Sequence, residues 1–400
     1  MERDAPVRPV QQHRHNLALV ARLAARLGPV SRARLAHESG LTKSTVTQLT
    51  GELLDGGLLR EIGTGRSGGP GRPANQLVLN SLGPAGIGLQ IEADHVAGCL
   101  LDLTGRVRDR ALRKADDLTG DPQRAVKAAE PVLRRLLNTA NSTDNVVVGV
   151  AVGLPARVRD ATVVHADGLG WADTNFPWLL GDRLSALGAG GIPVTVANSH
   201  QLAARAEHWF GGDEAEVLVH VGGEDGLGAG IVIAGEVHAG ARGAAGELGH
   251  VRIPGADDPC TCGQRGCLDT VAGRRALLRA AGLDEVVRSR LTGGDGELPA
   301  LVGSGEAVAV AAVRRAATAL GTVLGGLVPA LDPDVLVLGG HLPALGSDFL
   351  DAVDLSLRQR CPGAAVRVRA SRLPADVVAR AAATTVTSAL IEAPADWLAE

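Results

Sequence analysis

Aromatic side chains make up only 2% of this 400-residue chain, and tyrosine is absent. Any core must therefore be aliphatic, and the 45% hydrophobic share is ample for one. Cysteine is also scarce. Of five, three cluster at Cys260, Cys262 and Cys267, while Cys99 and Cys361 stand alone. That pattern excludes a disulfide framework and fits a reducing cytoplasm. No segment approaches the roughly 18 uninterrupted apolar residues of a membrane span, and no N-terminal apolar run carries a cleavage site. A cytoplasmic protein with no membrane partner is expected.

The formal net charge of −4 is unevenly spread. Residues 1–80 hold 11 Lys/Arg against 6 Asp/Glu, a surplus of +5, which leaves −9 for residues 81–400. A basic head on an acidic body is expected where only one end meets a polyanion.

Apolar Leu17, Val20, Leu23, Ala24 and Leu27 recur at helical spacing over residues 13–27, and Gly28-Pro29 stops that helix. Ser31 can cap a second helix over 32–38. Gly40 suits a left-handed turn, and Thr42 can cap a third helix to about residue 54. Residues 58–62 and 76–79 flank a Gly- and Arg-rich tip and read as a hairpin. Three helices and a hairpin within about 80 residues predict a winged helix-turn-helix over 1–82. From residue 85 short apolar strands (87–91, 96–103, 146–152, 194–196, 217–221, 229–233, 335–338) alternate with helices (121–138, 201–209, 306–328). That alternation predicts an α/β body over 83–400, with a linker near 80–84.

The polar face of the third helix carries Lys43, Ser44, Thr45, Thr47 and Gln48. Short hydroxyls, an amide and a cation suit phosphates and base edges, although a solvated bundle face looks the same. The hairpin tip adds Arg66 and Arg72 among glycines. Such a tip can lay an arginine along a narrow minor groove, which tips the reading towards double-stranded operator DNA.

The most specific signal is His250, Cys260, Cys262 and Cys267, four soft ligands within 18 residues. Three Cys and one His form a closed tetrahedral zinc set, so a structural Zn²⁺ is expected. A redox Cys-x-Cys pair and plain buried thiols are the alternatives.

These two motifs, in this order, resemble the ROK family, which joins bacterial sugar-responsive repressors with sugar kinases. The matching stretches span the chain: Gly153-Leu154-Pro155, Gly168-Leu169-Gly170-Trp171, Asn198 with the helix after it, Asp225 to Gly230, and the Glu247-to-Cys267 run. The resemblance implies a two-lobed actin-like/ribonuclease-H-like domain with a zinc knot behind the winged helix. Its first lobe would cover about 83–200 plus a C-terminal helix, its second about 201–378. It also implies a sugar or sugar-phosphate effector held by Asn198, Glu247, His250 and Asp269, repression of carbohydrate-related genes, and a homodimer or homotetramer that reads paired half-sites.

Several positions depart from the family pattern. The proton acceptor that follows the sugar-binding Asn in family kinases is here Ser199, a poor base at neutral pH. The kinase phosphate loop, Asp-x-Gly-Gly-Thr, reads Gln90-Ile91-Glu92-Ala93-Asp94. Ala156 replaces a glycine and Asp269 a glutamate. A non-catalytic sensor is expected. An active sugar kinase and a regulator without a small-molecule ligand are the competing readings.

Overall fold

The computed structural model describes residues 9–64, 75–223, 226–283 and 296–398. The N-terminal unit comprises α1 (Pro9–Leu27), β1 (Val30–Ser31), α2 (Arg32–Ser39), α3 (Lys43–Asp55), β2 (Leu59–Thr64) and β3 (Asn75–Leu79). The expected caps are present. Ser31 Oγ accepts from the Arg34 amide at 3.3 Å and Thr42 Oγ1 from the Thr45 amide at 3.2 Å. Gly40, at φ 69°, makes the left-handed turn between α2 and α3 without Cβ strain. Leu17, Val20, Leu35, Val46, Leu49, Leu53 and Leu77 close the core, and the strands run antiparallel in the order β1-β3-β2. The expected stripe of α3 faces inward as read. The first helix begins at Pro9, a turn before the apolar periodicity does.

The connection at 80–84 is fixed rather than loose. Asn80 Nδ2 donates to the Gly57 carbonyl at 2.9 Å, and Asn145 Nδ2 donates to the carbonyls of Ser81 at 3.1 Å and Gly83 at 3.0 Å.

Beyond it stands a first five-stranded sheet, ordered β11-β7-β4-β5-β6, from β4 (Pro84–Ile91), β5 (His95–Asp102), β6 (Val107–Lys114), β7 (Val146–Leu154) and β11 (Val194–Asn198). Helix α4 (Pro122–Ser142) covers one face with Ala125, Val132, Leu133 and Leu136. Strand β6 was not legible: it reads VRDRALRK, an edge strand whose charged residues blunt the open edge and hide the apolar period. A small antiparallel sheet, β8 (Arg157–Arg159), β9 (Thr162–Ala166) and β10 (Trp171–Thr174), and helix α5 (Phe176–Ala186) also escaped notice. Their runs are three to five residues in the sheet and mixed in polarity.

Helix α6 (Ser199–Phe210) leads to a second five-stranded sheet, β14-β13-β12-β15-β16. Its strands are β12 (Val217–Gly222), β13 (Gly228–Ile233), β14 (Glu236–Val237), β15 (Val335–Leu338) and β16 (Arg367–Ala370). Helices α7 (Asp269–Ala272), α8 (Arg274–Ala280), α9 (Glu297–Gly303), α10 (Ala307–Leu331) and α11 (Ser347–Arg360) pack around it. Among the described residues, α10 alone has the length and composition to reach across a membrane, but Val313, Ala316, Leu320 and Leu324 are the middle of this lobe's core.

The chain then returns. Helix α12 (Val377–Glu392) lies on the first sheet so closely that a Cβ on Gly88 of β4 would stand 1.9 Å from the Ala379 carbonyl oxygen. Only glycine permits that approach. The far end of α12 and the short α13 (Pro394–Trp397) reach the N-terminal unit, where Leu390, Ile391, Trp397 and Leu398 join its core.

Candidate ligand cleft, metal centre and nucleic-acid interface

Between the two large sheets lies a cavity of about 140 Å³. The first lobe lines it with Glu92, Ala156, Arg157, His165 and Asp167. Asn198, Ser199 and His200 come from the crossover into α6, and Glu247, His250 and Asp269 from the second lobe. Asn198, Glu247, His250 and Asp269 therefore share one cleft, as the sequence suggested.

Their local bonds show why each sits there. Asn198 ends β11 and caps α6: its Oδ1 accepts from the amides of His200 at 2.8 Å and Gln201 at 3.1 Å. Its Nδ2 donates to the Ala156 carbonyl at 2.9 Å, which pins the Pro155-Ala156-Arg157 loop. Much of its polar capacity is thus spent inside the protein, the part a strand-end turn residue would play. Asp269 opens α7, and its Oδ1 accepts from the Leu227 amide at 2.9 Å, tying the glycine turn before β13 to the cleft wall. Burial pushes the Asp269 carboxyl above its ordinary range, and the Leu227 amide partly offsets this.

Ser199, next to the cleft wall, is 5% exposed and brings no carboxylate. Gln90 and Glu92 are buried, and Gln90 Nε2 donates to Glu92 Oε1 at 3.0 Å. Where kinases of the resembled family keep glycines open to phosphate, this chain has a buried amide–carboxylate contact.

Below the cleft, one ligand atom from each of His250, Cys260, Cys262 and Cys267 lies within 4.8 Å of the others. The Cys262 and Cys267 sulfurs are 3.7 Å apart, and Cys260 Sγ is 3.6 Å from His250 Nδ1. Zn–S bonds of about 2.3 Å in a tetrahedron place sulfurs about 3.8 Å apart, so the donor set fits Zn²⁺. Burial pushes the Cys267 thiol up to about 12. A thiolate there needs a cation beside it. With Nδ1 directed to the cysteines, His250 turns Nε2 to the cleft, 3.4 Å from Asp167 Oδ2 and 3.8 Å from Glu247 Oε2.

On the N-terminal unit, Lys43, Ser44, Thr47 and Gln48 of α3 are exposed and Thr45 is half-buried. Thr47 Oγ1 donates to the Lys43 carbonyl at 2.8 Å and Gln48 Nε2 to Glu52 Oε1 at 3.2 Å, which holds both side chains along the helix. Arg66 and Arg72 lie outside the described residues. Sequence reasoning missed His165, Asp167 and His200 as cleft residues. Asp167 adjoins the noticed Gly168-Leu169-Gly170-Trp171 stretch and was the one within reach.

The ROK family model matches residues 86–384. The chain belongs to the ROK family. A putative xylose repressor of Caldicellulosiruptor sp. (strain Rt8B.4) is 30% identical over 337 residues, covering 80% of this chain and 82% of that protein. The N-acetylglucosamine repressor of Escherichia coli O157:H7 is 29% identical over 272 residues, 66% of this chain and 63% of that one. Among solved structures, a ROK family transcriptional regulator, homolog of the E. coli MLC protein, superposes with a TM-score of 0.79 at 24% identity. It covers 97% of this chain and 100% of that one. A ROK family glucokinase from Streptomyces griseus, in complex with glucose and AMPPNP, reaches 0.61 at 25% identity over 75% of this chain and 98% of its own. The kinase-like likeness thus stops short of the whole ROK chain, whereas the regulator's fold runs through the N-terminal unit as well.

Proposed function

We propose that this ROK protein is a sugar-responsive transcriptional repressor. Residues 1–82 are the winged helix-turn-helix that binds operator DNA, and residues 83–400 are a cytoplasmic, catalytically silent effector domain. The single observation that carries this reading is the convergence of the four sugar-side residues in one cleft whose phosphate side lacks the kinase base and glycines. Asn198, Glu247, His250 and Asp269 converge, while Ser199 replaces a base and Glu92 fills the phosphate loop. The names borne by its repressor relatives point the same way.

In this mechanism α3 enters the major groove. Lys43 and the Ser44 and Thr45 hydroxyls meet phosphates and base edges, Thr47 and Gln48 lie along the groove, and Arg66 and Arg72 on the wing follow the minor groove. Glu247 and Asp269 accept from sugar hydroxyls, and His250 Nε2 donates to one. The Cys260, Cys262, Cys267 and His250 set holds a structural Zn²⁺, which fixes the His250 ring. An effector, a sugar or sugar phosphate, that favours one lobe arrangement shifts the population of that arrangement. Helix α12 spans from the first sheet to the head, so the shift moves the heads of a homodimer or homotetramer relative to paired half-sites. Selection of bound fragments from genomic DNA by the purified protein, followed by anisotropy titrations, tests the reading. A duplex that binds in about 0.1 M salt, and responds to a monosaccharide, is the expected result. Indifference to all duplexes combined with sugar-dependent ATP consumption would defeat it.

A further inference from the structure

The chain passes between the two large sheets twice, and the two crossings are bonded to each other at one buried point. The first runs from β11 through α6 to β12, and the second from β16 through residues 371–376 to α12 on the first sheet. Glu207, near the end of α6, is 1% exposed. Its Oε2 accepts from Arg369 Nη2 of β16 at 2.8 Å, and its Oε1 accepts from the Ser371 hydroxyl at the start of the second crossing. Ser371 Oγ in turn accepts from the Leu373 amide at 3.2 Å. Arg369 Nε donates to Asp213 Oδ2 at 2.7 Å, and Arg367 Nη1 stands 3.2 Å from Asp213 Oδ1. The point is closely packed: a Cβ on Gly211 would stand 2.7 Å from Glu207 Oε2. Beside it, the Arg380 guanidinium of α12 lies 3.9 Å over the Phe210 ring that ends α6.

Two carboxylates meet two guanidiniums here, so their charges balance within the protein. Stability alone does not ask for such a network, because well-packed apolar side chains of similar volume often hold a fold as well or better. What the charges add is direction. An arginine bonded to two carboxylates fixes the angle between the segments that carry them. The rest of the contact, Leu202, Ala203 and Ala206 of α6 against Val378, Ala381 and Ala382 of α12, is apolar and allows sliding. From Glu207, α6 runs back about 14 Å to Asn198 in the cleft wall. The far end of α12 lies in the core of the head.

We propose that Glu207 is a positioning residue. Through Arg369 and Ser371 it makes α6 and α12 turn as one body, so a displacement of α6 at the cleft is delivered to the head. The mechanical link stands on these bonds, and its use in releasing or tightening operator binding rests on the repressor reading.

Amide hydrogen exchange on the full-length protein tests the link without any ligand. Asn198→Ala removes the cap of α6 and should quicken exchange there by about 2- to 30-fold. In an otherwise wild-type chain the quickening should extend into α12, by at least about 2-fold. A Glu207→Leu, Arg369→Met double variant keeps the volume and leaves Asp213 to Arg367. In it Asn198→Ala should quicken α6 alone, with zinc content and melting temperature close to wild type. Glu207→Gln keeps an acceptor for Arg369 and should keep the response in α12. Ser371→Ala cuts only the Oε1 bond and should diminish the response; it decides the matter if the double variant does not fold. An α12 response of equal size in wild type, the double variant and Ser371→Ala overturns the proposal. So does a response lost in Glu207→Gln as fully as in the double variant, because charge and not the directed bonds would then carry it. Operator titrations keep the two readings apart. If the α12 response is present but no duplex is bound, the repressor reading falls and the link stands. If a duplex is bound but the wild-type chain shows no α12 response, the link falls and the repressor reading stands.

Discussion

The indole Nε1 of Trp397 donates to the carbonyl oxygen of Gly56 at 3.0 Å, which bonds the end of the chain to the end of α3. Around this bond Arg14 pairs with Asp396, and Arg22 with Glu392 at 2.9 Å. Exposed pairs such as these contribute little, and the apolar contact of Trp397 and Leu398 with the head core matters more. Since α12 also lies on the first sheet through Gly88 and Ala379, one rigid element touches both the cleft-bearing lobe and the head.

Trp397→Ala should therefore uncouple the two without destroying either. Losing a half-buried indole and its bond costs about 2–3 kcal/mol at the head. Amide exchange in α3 should quicken, and the effector should still bind but no longer alter operator affinity. Unchanged exchange in α3, or undiminished coupling, would show that the heads are placed by something else.

The metal knot makes a separate prediction. Cys262→Ser removes one of the four clustered donor atoms proposed to hold Zn²⁺, while His250, Cys260 and Cys267 stay in place. Zinc content by elemental analysis should fall well below one ion per chain. The second lobe should then melt earlier, because the ion's binding energy is part of its folding energy. A folded variant with full zinc content would mean that this sulfur is not a ligand.

How much was legible in the sequence follows from the range of the interactions. The caps at Ser31 and Thr42 and the inward stripe of Val46, Leu49 and Leu53 are local, so a single sequence carries them. The His250, Cys260, Cys262 and Cys267 cluster is legible because its members fall within one short stretch. Strand β15 was placed correctly because a fully buried parallel strand is a plain apolar run. Strand β6 and the β8–β10 sheet were lost because their pairing, not their composition, makes them strands. Asp167 and Trp397 act on residues 83 and 341 positions away. No periodicity reports contacts at that range.

Restoring one acid should not restore a kinase. Ser199→Asp supplies a carboxylate where a base is needed, but the Gln90–Glu92 pair still occupies the phosphate loop. A coupled ATP assay over the monosaccharides that bind should stay at background for Ser199→Asp alone. Adding Gln90→Asp and Glu92→Gly should be needed before any turnover appears. Turnover in the single variant, abolished by Glu247→Ala, would show that the nucleotide side is more intact than its geometry implies.

The pH dependence of stability has a defined sign. His220 on β12 is 6% exposed and lies against Gly339, and its Nδ1 has no hydrogen-bond partner. Burial, with some help from the Arg369 charge, pushes its pKa down to about 4 from an ordinary 6.5. Between those values the unfolded chain binds a proton that the folded chain refuses, so unfolding gains as pH falls. This contribution is constant above about pH 6.5 and erodes by up to about 1.4 kcal/mol per unit below it, until the folded ring also protonates near pH 4. His200 and His341 are shifted in the same direction by burial, so the test must isolate one ring. In chemical denaturation at pH 7 and pH 5, wild type should lose about 2 kcal/mol more than His220→Asn. An equal loss in both proteins would mean that the His220 ring accepts a proton inside the fold, and that the acid limb belongs to other groups.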